Sequence, residues 1–256
     1  MIYKLLNGKK AEKIFAGWQE TLIWSCLDDT MGAIYVDCED NPLSAAALIG
    51  DFCFFAGETN EILIKEIALL KEFLILVPQN EMWEALIEKV CDASRLKKVT
   101  RFAFKKEKDG FDREYLEKLA KHLPMGYEIQ MIDKELYYQC RREAWSRDLV
   151  SQFEDYEKYR ELGIGVAVLE NGEVVSGASS YARYSGGIEI EIDTKMENRR
   201  QGLARVCGAR LILECLNRGL YPSWDAQNTW SMELAKQLGY QFDYEYVAYE
   251  TWGGNI

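Results

Sequence analysis

Ile188-Glu-Ile-Glu-Ile-Asp193 alternates apolar and acidic residues, and Arg199-Arg-Gln-Gly-Leu-Ala204 follows it after a short loop. Strict alternation predicts a β-strand with the isoleucines on one face and the carboxylates on the other. After the glycine, apolar residues recur at helical spacing as far as about Asn217, which predicts a helix. The sequence therefore predicts a strand, a glycine-containing loop and a helix in immediate succession.

The loop and the first turn of the predicted helix have the features of an anion-binding site. Gly202 and Ala204 leave room for a ligand to approach the backbone, and the first turn of a helix presents N–H groups at the positive end of its dipole. Arg199, Arg200 and Arg205 add guanidinium charge on both sides of the glycine. The pattern alone also fits a surface loop with solvated arginines, so both interpretations stand at this point.

The sequence before and after this strand, loop and helix predicts an α/β (α+β) chain of two halves. In the second half, a mixed and mostly antiparallel sheet flanked by helices is predicted from a helix over 133–159, a hairpin of 164–169 and 173–181, the strand 188–193, the helix ending near 217, a strand 220–226, a helix 229–238 and a strand 242–251. In the first half, the patterns predict helices at 8–28, 61–72, 81–90 and 112–122 and strands at 32–38, 51–55, 73–77 and 99–104. Pro124-Met-Gly126 predicts a boundary, which gives domains 1–128 and 129–256.

Composition excludes several classes of protein. The 256 residues are 48% hydrophobic, which is typical of a globular protein. Their net charge of −11 disfavours nucleic acid and membranes as partners. No apolar stretch resembles a signal or a membrane span, so we expect a cytoplasmic protein with reduced cysteines. The single histidine, His122, leaves little scope for His-based triads or His-rich metal sites, and no metal is predicted.

Two motifs resemble those of the GCN5-related N-acetyltransferases, the GNAT family. Arg199-Arg-Gln-Gly-Leu-Ala204 fits the family signature [Q/R]-x-x-G-x-[G/A], found between the fourth strand and the third helix. Asn228-Thr-Trp-Ser-Met-Glu-Leu-Ala-Lys-Gln-Leu-Gly-Tyr240 fits the family segment N-x-x-[S/A]-x-x-L-x-x-x-L-G-[F/Y]. This resemblance covers about residues 130–256.

A narrower resemblance concerns the whole chain. Glu189–Thr194, Gly202–Ala204 and Tyr221-Pro-Ser-Trp-Asp225 are similar to the subgroup that includes the zwittermicin A resistance acetyltransferases. The family resemblance implies an acetyl-CoA-dependent enzyme that transfers the acetyl group directly to a primary amine, without a covalent intermediate.

The resemblance also implies which residues bind the cofactor. The backbone of Ile192 and Thr194 would bind the acetyl and pantetheine amides. The pyrophosphate would lie on Gln201, Gly202, Leu203, Ala204 and Arg205, bracketed by Arg199 and Arg200. Asn228 and Ser231 match positions that face the pantetheine, although Asn228 is also suited to capping the helix that follows it.

The acidic face of the predicted strand offers candidates for the catalytic base. An amine acceptor arrives as an ammonium ion, so a carboxylate must take its proton, and we assign this role to Glu189 or Glu191. The alternative is a solvated outer face of an antiparallel sheet. Many family members place a tyrosine that protonates the leaving thiolate directly after the leucine at 234, but this chain has Ala235. This departure supports an alternative function, a non-catalytic acyl-CoA-binding or regulatory module.

The first half contains no second R-x-x-G-x-A motif. If it repeats the acetyltransferase architecture, it has lost the cofactor site and serves as a scaffold or as a wall of the acceptor site. The acidic composition favours a small cationic amine, such as a metabolite or an antibiotic, as acceptor. The sequence does not specify which amine it is, and it leaves a homodimer open.

Overall fold

A computed structural model of the chain describes residues 1–107 and 110–252 and contains two compact units. One unit comprises residues 1–101 and the segment that begins at Glu245, and the other comprises Phe102–Tyr244. The predicted domain boundary between residues 128 and 129 stays a prediction.

The first unit is built on an open sheet. Its elements in chain order are β1 Tyr3–Lys4, a 3₁₀ turn Gly8–Ala11, α1 Thr21–Leu27, β2 Ala33–Val36, β3 Ser44–Ile49, β4 Phe52–Gly57, α2 Glu61–Ala68, β5 Phe73–Pro78, α3 Glu81–Val90 and β6 Leu96–Phe104, whose last residues belong to the second unit. Strands β1 to β4 pair antiparallel in sequence order, and β4 pairs parallel with β5.

The second unit contains a five-stranded sheet in the order β11-β10-β9-β8-β7. Its elements are α4 Arg113–Ala120, β7 Tyr127–Met131, α5 Lys134–Arg142, a 3₁₀ turn Arg147–Leu149, α6 Tyr156–Leu162, β8 Gly165–Glu170, β9 Glu173–Tyr184, β10 Gly187–Thr194, a 3₁₀ turn Met196–Asn198, α7 Leu203–Asn217, β11 Tyr221–Ser223, β12 Asp225–Ala226, α8 Thr229–Gln237 and the start of β13 Phe242–Trp252. The pairs are antiparallel except that of β10 with β11. The predicted fold class, a mixed and mostly antiparallel sheet flanked by helices, is confirmed.

The same order of elements occurs twice along the chain. A strand, two helical segments, three antiparallel strands, a helix, a parallel strand, a helix and a last strand run from β1 to β6 and again from β7 to β13. The additions are α4, β12 and the 3₁₀ turns Arg147–Leu149 and Met196–Asn198. In the first unit, the last strand β13 pairs antiparallel with β5. This order supports the interpretation of the first half as a repeat of the second.

The core of the second unit lies between α7 and the sheet. Ile188 and Ile190 of β10 are buried together with Leu203 and Cys207 of α7. A Cβ atom at Gly208 would lie 2.6 Å from a methyl carbon of Leu238 and 3.3 Å from one of Ile192. A glycine at this position therefore brings α7 close to the end of β10, the strand that carries the candidate site.

Three predicted elements differ from the structure. The helix predicted at 8–28 is reduced to a 3₁₀ turn and α1, because the chain turns at Gly17, which has a φ of +83°. The helix predicted at 133–159 is broken: Ser146 donates its hydroxyl proton to the carbonyl of Cys140, and Asp155 caps a new helix, α6. The strand predicted at 220–226 divides into β11 and β12, which belong to different sheets.

The structure also contains strands that the patterns do not predict, namely β1, β3 and β7. Every residue of β3, Ser44–Ile49, is buried, so it shows no alternation of polar and apolar side chains.

All seven cysteines are free thiols, and burial raises the pKa of the Cys26 and Cys207 thiols to about 12. Across the described ranges, no helix has the length and apolar character needed to cross a membrane.

Candidate functional site

Strand β10 has one open edge over most of its length. It pairs with β9 as far as Thr194, but it pairs with β11 only over Gly187–Glu189. Beyond Glu189, the edge that faces away from β9 has no strand partner within the part of the chain that the structure describes. Backbone groups at such an edge remain able to bond the amides of a ligand.

The backbone groups of Ile192 face this open edge. The N–H of Lys195 donates to the carbonyl of Val175 on β9 at 2.9 Å. Along a strand, the N–H and C=O groups of successive residues point alternately to the two sides. Ile192 and Thr194 therefore direct their groups away from β9. Those of Thr194 are engaged, since its N–H donates to Asp193 Oδ1 at 2.6 Å and its carbonyl accepts from Arg199 Nε at 3.0 Å.

The N-terminus of α7 has no side-chain cap. Gly202 is the N-cap residue with a φ of +81°, and the first intrahelical bond runs from the N–H of Val206 to its carbonyl at 3.2 Å. Among residues 1–107 and 110–252, no hydrogen-bond acceptor contacts the N–H groups of Leu203, Ala204 and Arg205. N–H groups without an acceptor at the positive end of a helix dipole suit an anion, and the binding of an anion at this loop stays a prediction.

The three predicted arginines lie in different surroundings. Arg199 turns back toward the end of β10, where its guanidinium lies 3.5 Å from Asp193 Oδ1. Arg200 is exposed and has a φ of +63°, and Arg205 is half-buried on the first turn of α7. The charge beside the helix terminus therefore comes from Arg200 and Arg205, whereas Arg199 secures the loop to the strand.

Asn228 and Ser231 both have partners at the start of α8. The side chain of Asn228 accepts the N–H of Ser231 at 2.9 Å, which makes Asn228 the N-cap of α8. The hydroxyl of Ser231 accepts Trp224 Nε1 at 3.1 Å. The capping role is thus observed, and the predicted contact of both residues with pantetheine stays a prediction.

Replacing Asn228 with alanine is expected to lower the free energy of unfolding by about 1 kcal/mol, because the cap is lost. Asn228→Ser keeps a capping oxygen and should restore most of this stability, as measured by denaturant unfolding. If Asn228→Ala and the wild type unfold at the same denaturant concentration, the capping bond contributes nothing to stability.

The acidic face of β10 is covered. Glu189 is only 7% exposed, and Glu191 and Asp193 are half-buried. A Cβ atom at Gly177, the β9 partner of Asp193, would lie 2.6 Å from a methyl carbon of Leu149, so the 3₁₀ turn Arg147–Leu149 packs over this face. This burial differs from the solvated outer face that the alternative interpretation requires.

Burial also affects the titration of this face. It raises the pKa of Asp193, and the nearby charge of Asp148 raises it further, while the N–H of Thr194 and the guanidinium of Arg199 oppose the change. Glu191 lies between Glu189 and Asp193 on the same face, next to the part of β10 with the open edge. Glu191 is therefore the candidate base that lies within the open-edged part of β10.

Neither Tyr240 nor Tyr249 replaces the missing tyrosine at 235 as a proton donor. Ala235 is fully buried in the core of the second unit. Tyr240 is also buried, donates its proton to the carbonyl of Pro222 at 2.6 Å, and has its pKa raised well above the ordinary value by burial. In the first unit, Tyr249 donates to Glu88 at 2.6 Å. The hydroxyls of Tyr240 and Tyr249 are thus engaged in structural hydrogen bonds.

The counterpart of this site in the first unit is filled by its own side chains. Beyond the parallel pairing of β4 with β5, the N–H of Gly57 donates to Gln79 Oε1 at 3.1 Å and its carbonyl accepts Trp83 Nε1 at 3.0 Å. The N-terminus of α2 is capped by Asn60, which accepts the N–H of Leu63 at 3.1 Å. These contacts support the prediction that the first half lacks a cofactor site.

The fold and the two motifs define a class of protein, and a family model identifies it. The model described as GNAT acetyltransferase matches residues 12–249, and the chain belongs to this family. The chain is therefore an enzyme of the N-acetyltransferase class, as predicted.

Individual relatives agree with this assignment. The chain is 29% identical to a Bacillus subtilis (strain 168) protein described as "Uncharacterized N-acetyltransferase YdfB", over 90% of this chain and 89% of that protein. It resembles the crystal structure of a GCN5-related N-acetyltransferase-like protein from Streptococcus suis 89/1591, with 48% identity, a TM-score of 0.91 and coverage of 96% of this chain and 98% of that one. A GCN5-related N-acetyltransferase from Sphaerobacter thermophilus shares the fold, with a TM-score of 0.60, 13% identity and coverage of 100% and 96%.

Proposed function

We propose that this enzyme transfers the acetyl group of acetyl-CoA directly to the primary amine of a small cationic acceptor. The observation that carries the proposal is the pairing, in one unit, of an open edge on β10 with an uncapped N-terminus of α7. The predicted cytoplasmic location and the absence of nucleic-acid and membrane partners stay predictions.

The residues present fit the cofactor. At Gly202, the nearest atom to an added Cβ would be a guanidinium nitrogen of Arg205 at 3.8 Å, so the backbone is accessible. The N–H groups of the first turn and the charges of Arg200 and Arg205 suit a pyrophosphate, and the backbone of Ile192 suits a pantetheine amide. Bound acetyl-CoA would supply an acyl group activated as a thioester.

The remaining chemistry is proton transfer by this chain. Glu191 or Glu189 would accept the proton of the ammonium and leave a nucleophilic amine. Ala235 donates no proton, and none is required where the leaving thiolate has an ordinary pKa of about 8.5. The covered carboxylates of β10 and the net charge of −11 favour a cationic acceptor.

The resemblance to the zwittermicin A resistance acetyltransferases narrows the proposal to amines of antibiotics and related metabolites. It rests on Glu189–Thr194, Gly202–Ala204 and Tyr221–Asp225. Zwittermicin A therefore belongs in any panel of acceptors.

Calorimetry with CoA and a thiol-release assay with acetyl-CoA together test the proposal. We expect CoA to bind and thiol release to depend on a primary amine, with polyamines, aminoglycosides, amino acids and zwittermicin A as the panel. The same compounds with their amines acetylated are the control and should release no thiol. CoA binding without release across the panel would favour the non-catalytic acyl-CoA-binding module.

A further inference from the structure

Four side chains from distant parts of the second unit form a chain of hydrogen bonds that ends at the loop before α7. Asn198 Nδ2 donates to Glu170 Oε2 at 3.2 Å and to the hydroxyl oxygen of Tyr127 at 3.1 Å. The hydroxyl of Tyr127 donates to Gln201 Oε1 at 2.8 Å. Asn198 is only 7% exposed, whereas Gln201 lies on the surface.

This chain of bonds has a single direction. An ionised carboxylate only accepts hydrogen bonds, so Glu170 fixes the amide of Asn198 with its NH₂ group toward Glu170 and Tyr127. Because the oxygen of Tyr127 accepts from Asn198, its proton is directed to Gln201 Oε1. With its oxygen occupied, the amide of Gln201 presents its NH₂ group away from Tyr127.

Gln201 lies between two residues in the left-handed region. The φ angles are +63° at Arg200 and +81° at Gly202. This conformation is unfavourable for a residue with a side chain such as Arg200, so the loop requires restraint from outside itself. The bond from Tyr127 to Gln201 supplies a restraint directly beside the N-cap glycine.

We propose that Tyr127 and Asn198 are positioning residues for the pyrophosphate of the cofactor. They hold Gln201 so that its amide N–H₂ group faces an anion at the N-terminus of α7. This inference rests on the proposed function, because it assumes that the anion is the pyrophosphate of acetyl-CoA. Tyr127 lies 71 positions before Asn198 and 74 positions before Gln201 in the sequence.

Tyr127→Phe removes the hydroxyl and keeps the ring. We expect KM for acetyl-CoA to rise about three- to tenfold, the effect of one lost hydrogen bond, with kcat within about twofold of the wild type. With S-acetyl-pantetheine, which lacks the pyrophosphate, kcat/KM should not change. Tyr115→Phe is the matched control. Tyr115 donates to the carbonyl of Gln237 at 3.2 Å in the same unit, and removing this hydroxyl should leave kcat/KM unchanged with both acetyl donors.

Gln201→Glu is a second test on an exposed loop residue. The carboxylate still accepts from Tyr127 but replaces the N–H₂ group with a negative oxygen, so the loss with acetyl-CoA should exceed that of Tyr127→Phe, and S-acetyl-pantetheine should again be unaffected. Equal losses with both substrates, or no loss of CoA affinity in either variant, would overturn the positioning role. Failure of the wild type to bind CoA in calorimetry would instead overturn the proposed function itself.

Discussion

Turnover with a competent amine is expected to fall by about 10²–10⁴-fold in Glu191→Gln or Glu189→Gln, as is usual for the loss of a general base. Glutamine keeps the volume and the hydrogen-bonding capacity of glutamate but cannot take a proton from an ammonium ion. Glu191 is half-buried beside the open edge of β10, whereas Glu189 lies where β10 is paired on both sides. We therefore expect the larger loss at Glu191.

The pH profile of kcat separates a base from a structural carboxylate. Deprotonated amine becomes available as the pH rises, so the deficit of the affected variant should shrink toward high pH, while affinity for CoA stays unchanged. Glu173→Gln, an exposed glutamate at the start of β9, is the control and should behave as the wild type. If both variants remain fully active at every pH, the acidic face has no part in proton transfer.

The charge of Glu189 also acts on two tyrosines of the second unit. Burial raises the pKa of Tyr184 and Tyr221, and the negative charge of Glu189 is the next largest contribution.

The strand, the loop and α7 were predictable because each follows from a local pattern. Alternation gave β10, and Gly202 marked the start of α7. The same logic fails for β3, whose residues are all buried, and for the segment between α5 and α6, where the hydroxyl of Ser146 bonds the carbonyl of Cys140 at 2.9 Å and interrupts the helix. Periodicity reports one-sided burial, and it carries little information where both faces are covered or where a side chain replaces a backbone bond.

The contacts that prepare the site were not predictable from local patterns. Tyr127 and Gln201 are 74 residues apart, and nothing in the sequence around either residue indicates the other. In the first half, the side chain of Gln79 accepts the backbone N–H of Gly57, although 22 positions separate the two residues in the sequence. The sequence showed only that the glycine motif is absent there, and the structure shows which side chains take its place.

Gly202→Val is expected to lower affinity for CoA by at least about 100-fold, the equivalent of about 2.7 kcal/mol. A β-branched residue is strongly disfavoured at a φ of +81°, and its methyl groups would occupy the space in front of the first-turn N–H groups. Because an added Cβ meets no atom closer than 3.8 Å, the protein should still fold.

Gly219→Val is the matched control for this substitution. Gly219 follows the opposite end of α7, has a φ of +70°, and has no atom within 4 Å of an added Cβ. Both variants should lose about 1–2 kcal/mol of unfolding free energy from the left-handed conformation, and only Gly202→Val should lose CoA binding in calorimetry. Unchanged affinity in a folded Gly202→Val protein would place the pyrophosphate away from the N-terminus of α7. Equal losses of affinity in both variants would attribute the effect to general destabilisation of the helix.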